Sequence, residues 1–407
     1  MKKLLEIRVT SSLFCLNIIL LLLGGLLAIY STTYTASDNE YLYRQIAWIV
    51  IGLVAAVGLT LAPQSFLSKH AKLILLLVLI PLTYLTFASV GIGLVAKITH
   101  MKGSAIARFI PLVVYSKGAA RWLRLGPMTI QPSEFGKFAI ILFLGTYYGM
   151  RDTMKIESLK EGFLIPLCYA AILMVLVFMG KSLSNTIITG VIVFTIMFLA
   201  GVRAKFLAYS ALIALVLVVL GISFSPYRRQ RIVNFIYKDE QVKASTTGES
   251  KADNHQLQRS ICALGSGGLT GMGLGKGRLK NSRIPESQTD FIFAVVGEEF
   301  GFIGILIGLG LYLGFAILAF KIAQQCSNRQ GMLIAMAVGI YILFQALYNL
   351  CVVCGLGPTT GVTAPLVSYG GSSIISVMLC IGLVLNISKA NYDNTRENQT
   401  DSNYCSN

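Results

Sequence analysis

The stretch 284–304, IPESQTDFIFAVVGEEFGFIG, carries four carboxylates: Glu286, Asp290, Glu298 and Glu299. Asp290 stands where a long apolar helix opens. It is either a cap held by the helix dipole, worth about 0.5–2 kcal/mol, or a base placed to take a proton from a hydroxyl. Glu286 precedes it by four residues and could assist it or hold a metal. Glu298 and Glu299 lie inside the apolar run, where a charge at mid-membrane costs about 2.5–3.5 kcal/mol. Adjacent residues do not share a helix face, so the pair is expected to face a polar cavity or separate partners within a bundle.

The cations have spacings of their own. Arg228 and Arg231 in SPYRRQRIVNF are three apart, so a helix would present both to a pyrophosphate. Arg121, Trp122 and Arg124, in GAARWLRLGPMTIQPSEFGKF, either anchor the chain at the headgroup level or bind a phosphate and stack on a sugar. Glu134 and Lys137 fall one turn apart in a helix announced by Pro132 and Ser133. Their pairing would offset much of the cost of burying each, as a structural ion pair or as part of a site. GSGGLTGMGLGKGR holds seven glycines within 265–277. Such a segment wraps phosphates with backbone N–H groups, but the Walker spacing is absent and a hinge fits equally. In GPTTGVTAPLVSYGGSSIISV, Pro358, Gly361 and Pro365 interrupt an apolar run, which predicts re-entrant backbone lining protein or a water cavity. Ser368, Tyr369 and Ser372 follow it as candidate substrate contacts.

The elements that must position these groups are apolar helices. Of 407 residues, 55% are hydrophobic and 13% charged, about half the charge of a soluble domain. Ten stretches approach the 20 or so apolar residues a span needs: roughly 12–31, 45–62, 73–93, 135–150, 163–180, 185–201, 204–224, 290–320, 332–354 and 366–387. The expected fold is an all-α polytopic membrane protein of one domain, 1–407. The N-terminal MKKLLEIR and its apolar run are read as a retained first span, because no small-residue cleavage site follows. Lys2, Lys3 and Arg8 place both termini in the cytoplasm, with a flexible tail from about residue 389. Two large loops then fall outside. Residues 94–133 hold six cations and no acid; residues 225–288, between the seventh and eighth spans, hold eleven cations against five acids. Together they supply twelve of the net +16 charges, which suits solubility, lipid headgroups or an anionic substrate at the outer surface. That placement excludes nucleic acid as a partner. Cys351 and Cys354 form a CxxC, but in an apolar span without other ligand types, and are read as packing residues.

Five of these blocks, GAARWLRLGPMTIQPSEFGKF, SPYRRQRIVNF, GSGGLTGMGLG, IPESQTDFIFAVVGEEFG and GPTTGVTAPLVSYGGSS, occur in this order along the chain. In them the sequence resembles the SEDS family (shape, elongation, division, sporulation), and SPYRRQR and FLAGVRAKF are closer to its division branch than to its elongation branch. The resemblance implies a peptidoglycan glycosyltransferase in the bacterial cytoplasmic membrane. It would polymerise lipid II at the outer face beside a class B penicillin-binding protein and other divisome or elongasome proteins. By the same likeness Asp290 matches the catalytic aspartate and Trp122 an essential tryptophan. Arg44, Arg121, Arg124, Gln131, Glu134 and Lys137 match other positions on which the family relies. The chain departs from the family pattern at Gln288, where a histidine is usual, and at Arg259, where a glutamine is usual. It departs again at GKSLSNT, residues 180–186, where Ser182 replaces an aspartate and Lys181 adds a charge.

The implied chemistry needs a base at the acceptor hydroxyl, Asp290, and positive charge at the leaving pyrophosphate, from Arg121, Arg124, Arg228 and Arg231. A divalent cation, magnesium or manganese, would help neutralise that pyrophosphate, though no residue set demands one. Two other readings fit the same spans: a lipid II flippase, and a non-catalytic scaffold for a penicillin-binding protein. The basic charge on one face and the lack of an internal repeat argue against the flippase.

Overall fold

The computed structural model describes residues 2–33, 40–99, 103–116, 119–126, 128–223, 248–277, 288–357 and 361–404. Glu286, Arg228 and Arg231 lie outside them. The helices used below are α1 (Lys2–Thr33), α2 (Glu40–Leu61), α3 (Gln64–Thr99), α4 (Pro132–Gly149), α5 (Ile165–Met179), α6 (Leu183–Leu199), α7 (Ala204–Ser223), α8 (Gly248–Gly267), α9 (Ile292–Gln324), α10 (Arg329–Val353) and α11 (Gly371–Tyr404). A π-helical turn, Leu159–Leu164, leads into α5.

Among the described residues seven helical stretches are long and apolar enough to cross a membrane: α1, α2, α3, Leu159–Met179, α9, α10 and α11. The chain is thus a multi-pass helical membrane protein. Helix α6 and Ala204–Ala214 are shorter apolar helices. Helix α4 fails the hydropathy test because Glu134 and Lys137 sit in it, yet it is the pillar of the bundle, buried at fifteen of its eighteen residues. By contrast α2 buries only Gln45, Gly52 and Ala56.

Four expectations change. The segment 94–133 is not free of strand. Helix α3 runs on to Thr99, and β1 (Val113–Ser116), β2 (Ala119–Leu125) and β3 (Met128–Ile130) form an antiparallel sheet in the order β1-β2-β3. Tyr84 of α3 donates to the Pro111 carbonyl at 2.6 Å, which helps hold the sheet to the bundle. The loop 225–288 contains a helix, α8. The tail from 389 continues α11 as helix to Tyr404. Finally, α9 begins at Ile292 with Phe291 as its cap residue, so Asp290 stands just before the helix and not in it.

Helix α9 is broken at Gly301, whose φ of 65° and ψ of −164° suit glycine alone. The glycine-rich segment lies in the break. Met272 and Gly273 donate to the carbonyls of Glu298 and Glu299 at 2.9 and 3.0 Å, while Phe302 and Ile303 donate to those of Gly268 and Leu269 at 2.9 and 3.1 Å. A Cβ on Gly301 would lie 2.4 Å from the Gly271 nitrogen. These residues replace hydrogen bonds that the broken helix loses.

The first turns of α1 and the region of α11 around Ser388 meet at one end of the bundle. Ser11 and Ser388 share a hydrogen bond of 2.5 Å, and Gln325 donates to Thr10 at 3.3 Å. Helices α4, α6, α9 and α11 begin at the opposite end, and α10 ends there.

Candidate active site

At that opposite end the sequence-predicted residues converge. Pro132 starts α4 and fixes the backbone of its first turn. Glu134 and Lys137 follow with Oε2–Nζ at 2.8 Å, their side chains 7% and 0% exposed. Two charges so deep are tolerated only when their remaining bonds are met, and the neighbours meet them. Lys137 also donates to Gln345 Oε1 at 3.0 Å and lies 5.3 Å from the centroid of the Tyr341 ring. Ser376 donates to the Glu134 carbonyl at 2.6 Å, and Ser372 accepts from the Gln131 N–H at 2.9 Å.

The interrupted segment 361–370 packs between these helices. Gln345 donates to the Thr363 carbonyl at 2.9 Å, and Asn349, one turn further along α10, donates to the Val362 carbonyl at 2.5 Å. Asn349 also donates to the backbone carbonyl of Asp290 at 2.8 Å. Two amides on one face of α10 therefore tie Asp290 to the Lys137–Glu134 pair through the same piece of chain. Asp290 is half-buried, and a Cβ on Gly361 would stand 3.2 Å from its Oδ2. A side chain at Gly361 would therefore press on the carboxylate. Ser368 closes the turn by accepting from the Ala364 N–H at 2.8 Å, and its carbonyl accepts from Gln45 of α2 at 3.2 Å. The Tyr369 N–H donates to the Gln288 carbonyl at 2.8 Å, and the Tyr369 ring meets Tyr41 edge-on at 5.1 Å. Arg44 lies beside the Tyr369 side chain and pairs with Glu40.

The remaining predicted residues have structural partners of their own. Arg121 donates to the carbonyls of Gly180 and Lys181 at 3.3 and 2.6 Å, so it ties β2 to the departing segment 180–186. Lys181 sits there with a φ of 61°. Trp122 and Arg124 share one face of β2, because strand side chains alternate, while Arg121 is the extra residue of a bulge in the pairing with β1; Trp122 faces Val114 across the ladder and Arg124 faces Thr129. Arg124 is exposed and Trp122 half-buried. Glu299 is buried and accepts from the Ser31 hydroxyl of α1, so it knits α9 to α1. Among the described residues no three His, Cys, Asp or Glu side chains form a metal-binding group.

Gln345, Asn349, Thr363, Ser373 and Ser376 were missed from sequence. The available signal was the four-residue spacing of two amides, Gln345 and Asn349, in an otherwise apolar helix. Such residues are costly in lipid and face a bundle interior.

Fold and site together define a multi-pass membrane protein with a carboxylate at the mouth of one helix and a buried ion pair behind it. The chain belongs to the cell cycle protein family of FtsW, RodA and SpoVE, whose family model matches residues 11–393. Its relatives include the probable peptidoglycan glycosyltransferase FtsW of Haemophilus influenzae, 33% identical over 93% of this chain and 90% of the relative. That of Taylorella equigenitalis is 32% identical over 90% and 95%. Two solved structures share the fold. One, described as "Structural coordination of polymerization and crosslinking by a peptidoglycan synthase complex", matches 93% of this chain and 97% of its own at a TM-score of 0.72 and 24% identity. The other, the rod shape determining protein RodA of Thermus thermophilus, matches 93% and 96% at 0.63 and 24%.

Proposed function

We propose that the protein is a peptidoglycan glycosyltransferase of the division type, which polymerises lipid II at the outer face of the bacterial cytoplasmic membrane. The observation that carries the mechanism is Asp290: a half-buried carboxylate set against Gly361 at the mouth of α9, its backbone clamped by Asn349. The acceptor's sugar hydroxyl attacks the donor's anomeric carbon. A carbon–oxygen bond forms, the bond to the polyprenyl pyrophosphate breaks, and the hydroxyl proton passes to Asp290. Direct displacement inverts the anomeric centre. Arg44 and Arg124 are candidates among the described residues to meet the pyrophosphate, with Arg228 and Arg231 as further candidates outside them. A magnesium or manganese ion travelling with the pyrophosphate would neutralise part of its charge.

Counting α4, α6 and α7 as spans gives ten crossings and places the site on one face of the membrane, the outer one by the positive-inside rule. A class B penicillin-binding protein is the proposed partner that crosslinks the strands.

The test is lipid II polymerisation in detergent, with and without that partner, comparing wild type with Asp290→Asn. Detergent abolishes the two-sided membrane, so a flippase gives no signal. Glycan chains from wild type, reduced about 10²–10⁴-fold in the variant, support the reading. No chains from folded wild-type protein in either condition would remove the enzyme and leave the flippase or the scaffold.

A further inference from the structure

At the opposite end of α4 from Asp290, about 27 Å away along the helix, is a cavity of about 640 Å³ that the glycosyltransferase reading does not use. It lies where α4 ends and where α3 and α5 begin, at the end of the bundle where α1 starts. Lys72, Arg151 and Lys155 line it, with the carboxylates Asp152 and Glu161 and the rings of Tyr147 and Tyr169.

The wall is preorganised. Arg151 pairs with Glu161 at 2.9 Å and lies 3.9 Å over the Tyr147 ring. One guanidinium nitrogen is committed to Glu161, and the planar fork keeps further N–H donors. The wall segment that carries Glu161 is the π-helical turn before α5, a backbone form found often at functional sites. Tyr147 and Tyr148 pin that turn through the Glu161 and Gly162 carbonyls at 2.7 and 2.8 Å. Lys72 Nζ lies 5.5 Å from the Tyr169 ring centroid. Neither Lys72 nor Lys155 has a carboxylate partner among the described residues.

We propose that this cavity is a second ligand site, which takes a phosphate-bearing headgroup on Lys72, Arg151 and Lys155. Lysine binds phosphate as a point charge and arginine as a fork. The tyrosine rings suit the headgroup level of a membrane. Asp152, on the same wall, accepts from a hydroxyl or ammonium beside the phosphate, which glycerol and ethanolamine headgroups offer. The phosphate belongs either to a membrane lipid or to a soluble ligand.

Native mass spectrometry of the full-length protein, with short-chain phosphatidylglycerol, phosphatidylethanolamine and inorganic phosphate as separate probes, decides both points. Each lysine near an anionic surface contributes about fivefold in affinity, so Lys72→Gln with Lys155→Gln should weaken lipid retention roughly 25-fold. Lipid bound without competition from inorganic phosphate assigns the site to a membrane lipid; effective competition assigns it to a soluble phosphate ligand. Lys69→Gln is the control, because Lys69 is exposed on the same helix but outside the cavity. Equal retention by wild type and the double variant, or an equal loss with Lys69→Gln, would overturn the site in favour of general surface charge. The exposed Lys155→Gln alone keeps the test readable should the double variant unfold.

Discussion

Two helices carry an acid–base ion pair in their first turns, and the two pairs have different fates. Glu40 and Arg44 of α2 pair with side chains 54% and 58% exposed, whereas Glu134 and Lys137 of α4 pair with 7% and 0% exposed. The chemistry is nearly the same. The difference lies in what surrounds it, since α2 borders the bundle and α4 is enclosed by α3, α5, α6, α10 and α11. An exposed pair contributes about 0.2–1 kcal/mol. A buried pair broken on one side costs about 3–5 kcal/mol, because the charge left behind has no solvent. The contrast teaches that the same kind of pair can mark a helix at the border of the bundle or one enclosed by it, and that its spacing in the sequence does not tell which.

Lys137→Met should therefore have the largest effect on stability. Thermal unfolding in detergent should show a loss of about 3–5 kcal/mol. The double variant Glu134→Met with Lys137→Met should recover most of that loss, and a failure to recover would show that the pair acts through Gln345 rather than through its own charges. Asn349→Ala comes next. It removes the clamp on the Asp290 carbonyl at 2.8 Å, and misplacement of a reacting group costs up to about 10²-fold in rate. Polymerisation kinetics should show kcat lowered with KM for lipid II little changed; a change confined to KM would break the assignment of this end of α10 to the chemistry. Gly361→Ala should lower activity by pressing on Asp290, whose Oδ2 lies 3.2 Å from a Cβ, with thermal stability retained. Glu40→Gln should have the smallest effect, within about 1 kcal/mol by thermal unfolding. A larger loss would mean that the two ion pairs differ less than their exposure implies.

Much of this was legible before the fold. Pro132, Ser133 and Glu134 mark the start of α4, and the three-residue step to Lys137 predicts the pair that forms. The apolar runs gave the bundle, because length and hydropathy alone define a span. The sheet was not legible: its strands are short, and β2 carries two arginines in a segment dominated by turn residues. Nor were the partners of Gln345 and Asn349, which are carbonyls eighteen and thirteen residues away on a segment that only the fold brings alongside. For Asp290 the sequence left cap and base open, and the fold adds what it could not, the Asn349 clamp on its backbone carbonyl.

The break at Gly301 has a consequence for how the protein enters its membrane. A span whose backbone bonds are all internal is inserted as a finished object. Helix α9 is not such an object. The chain that completes its broken turn, Gly268–Gly273, is synthesised before it and docks beside it. Presented alone to hydrocarbon, the broken turn would expose amide and carbonyl groups at several kcal/mol each. Insertion of α9 and capture of the glycine segment therefore form a single event, and the order of synthesis places the patch in reach before the gap exists.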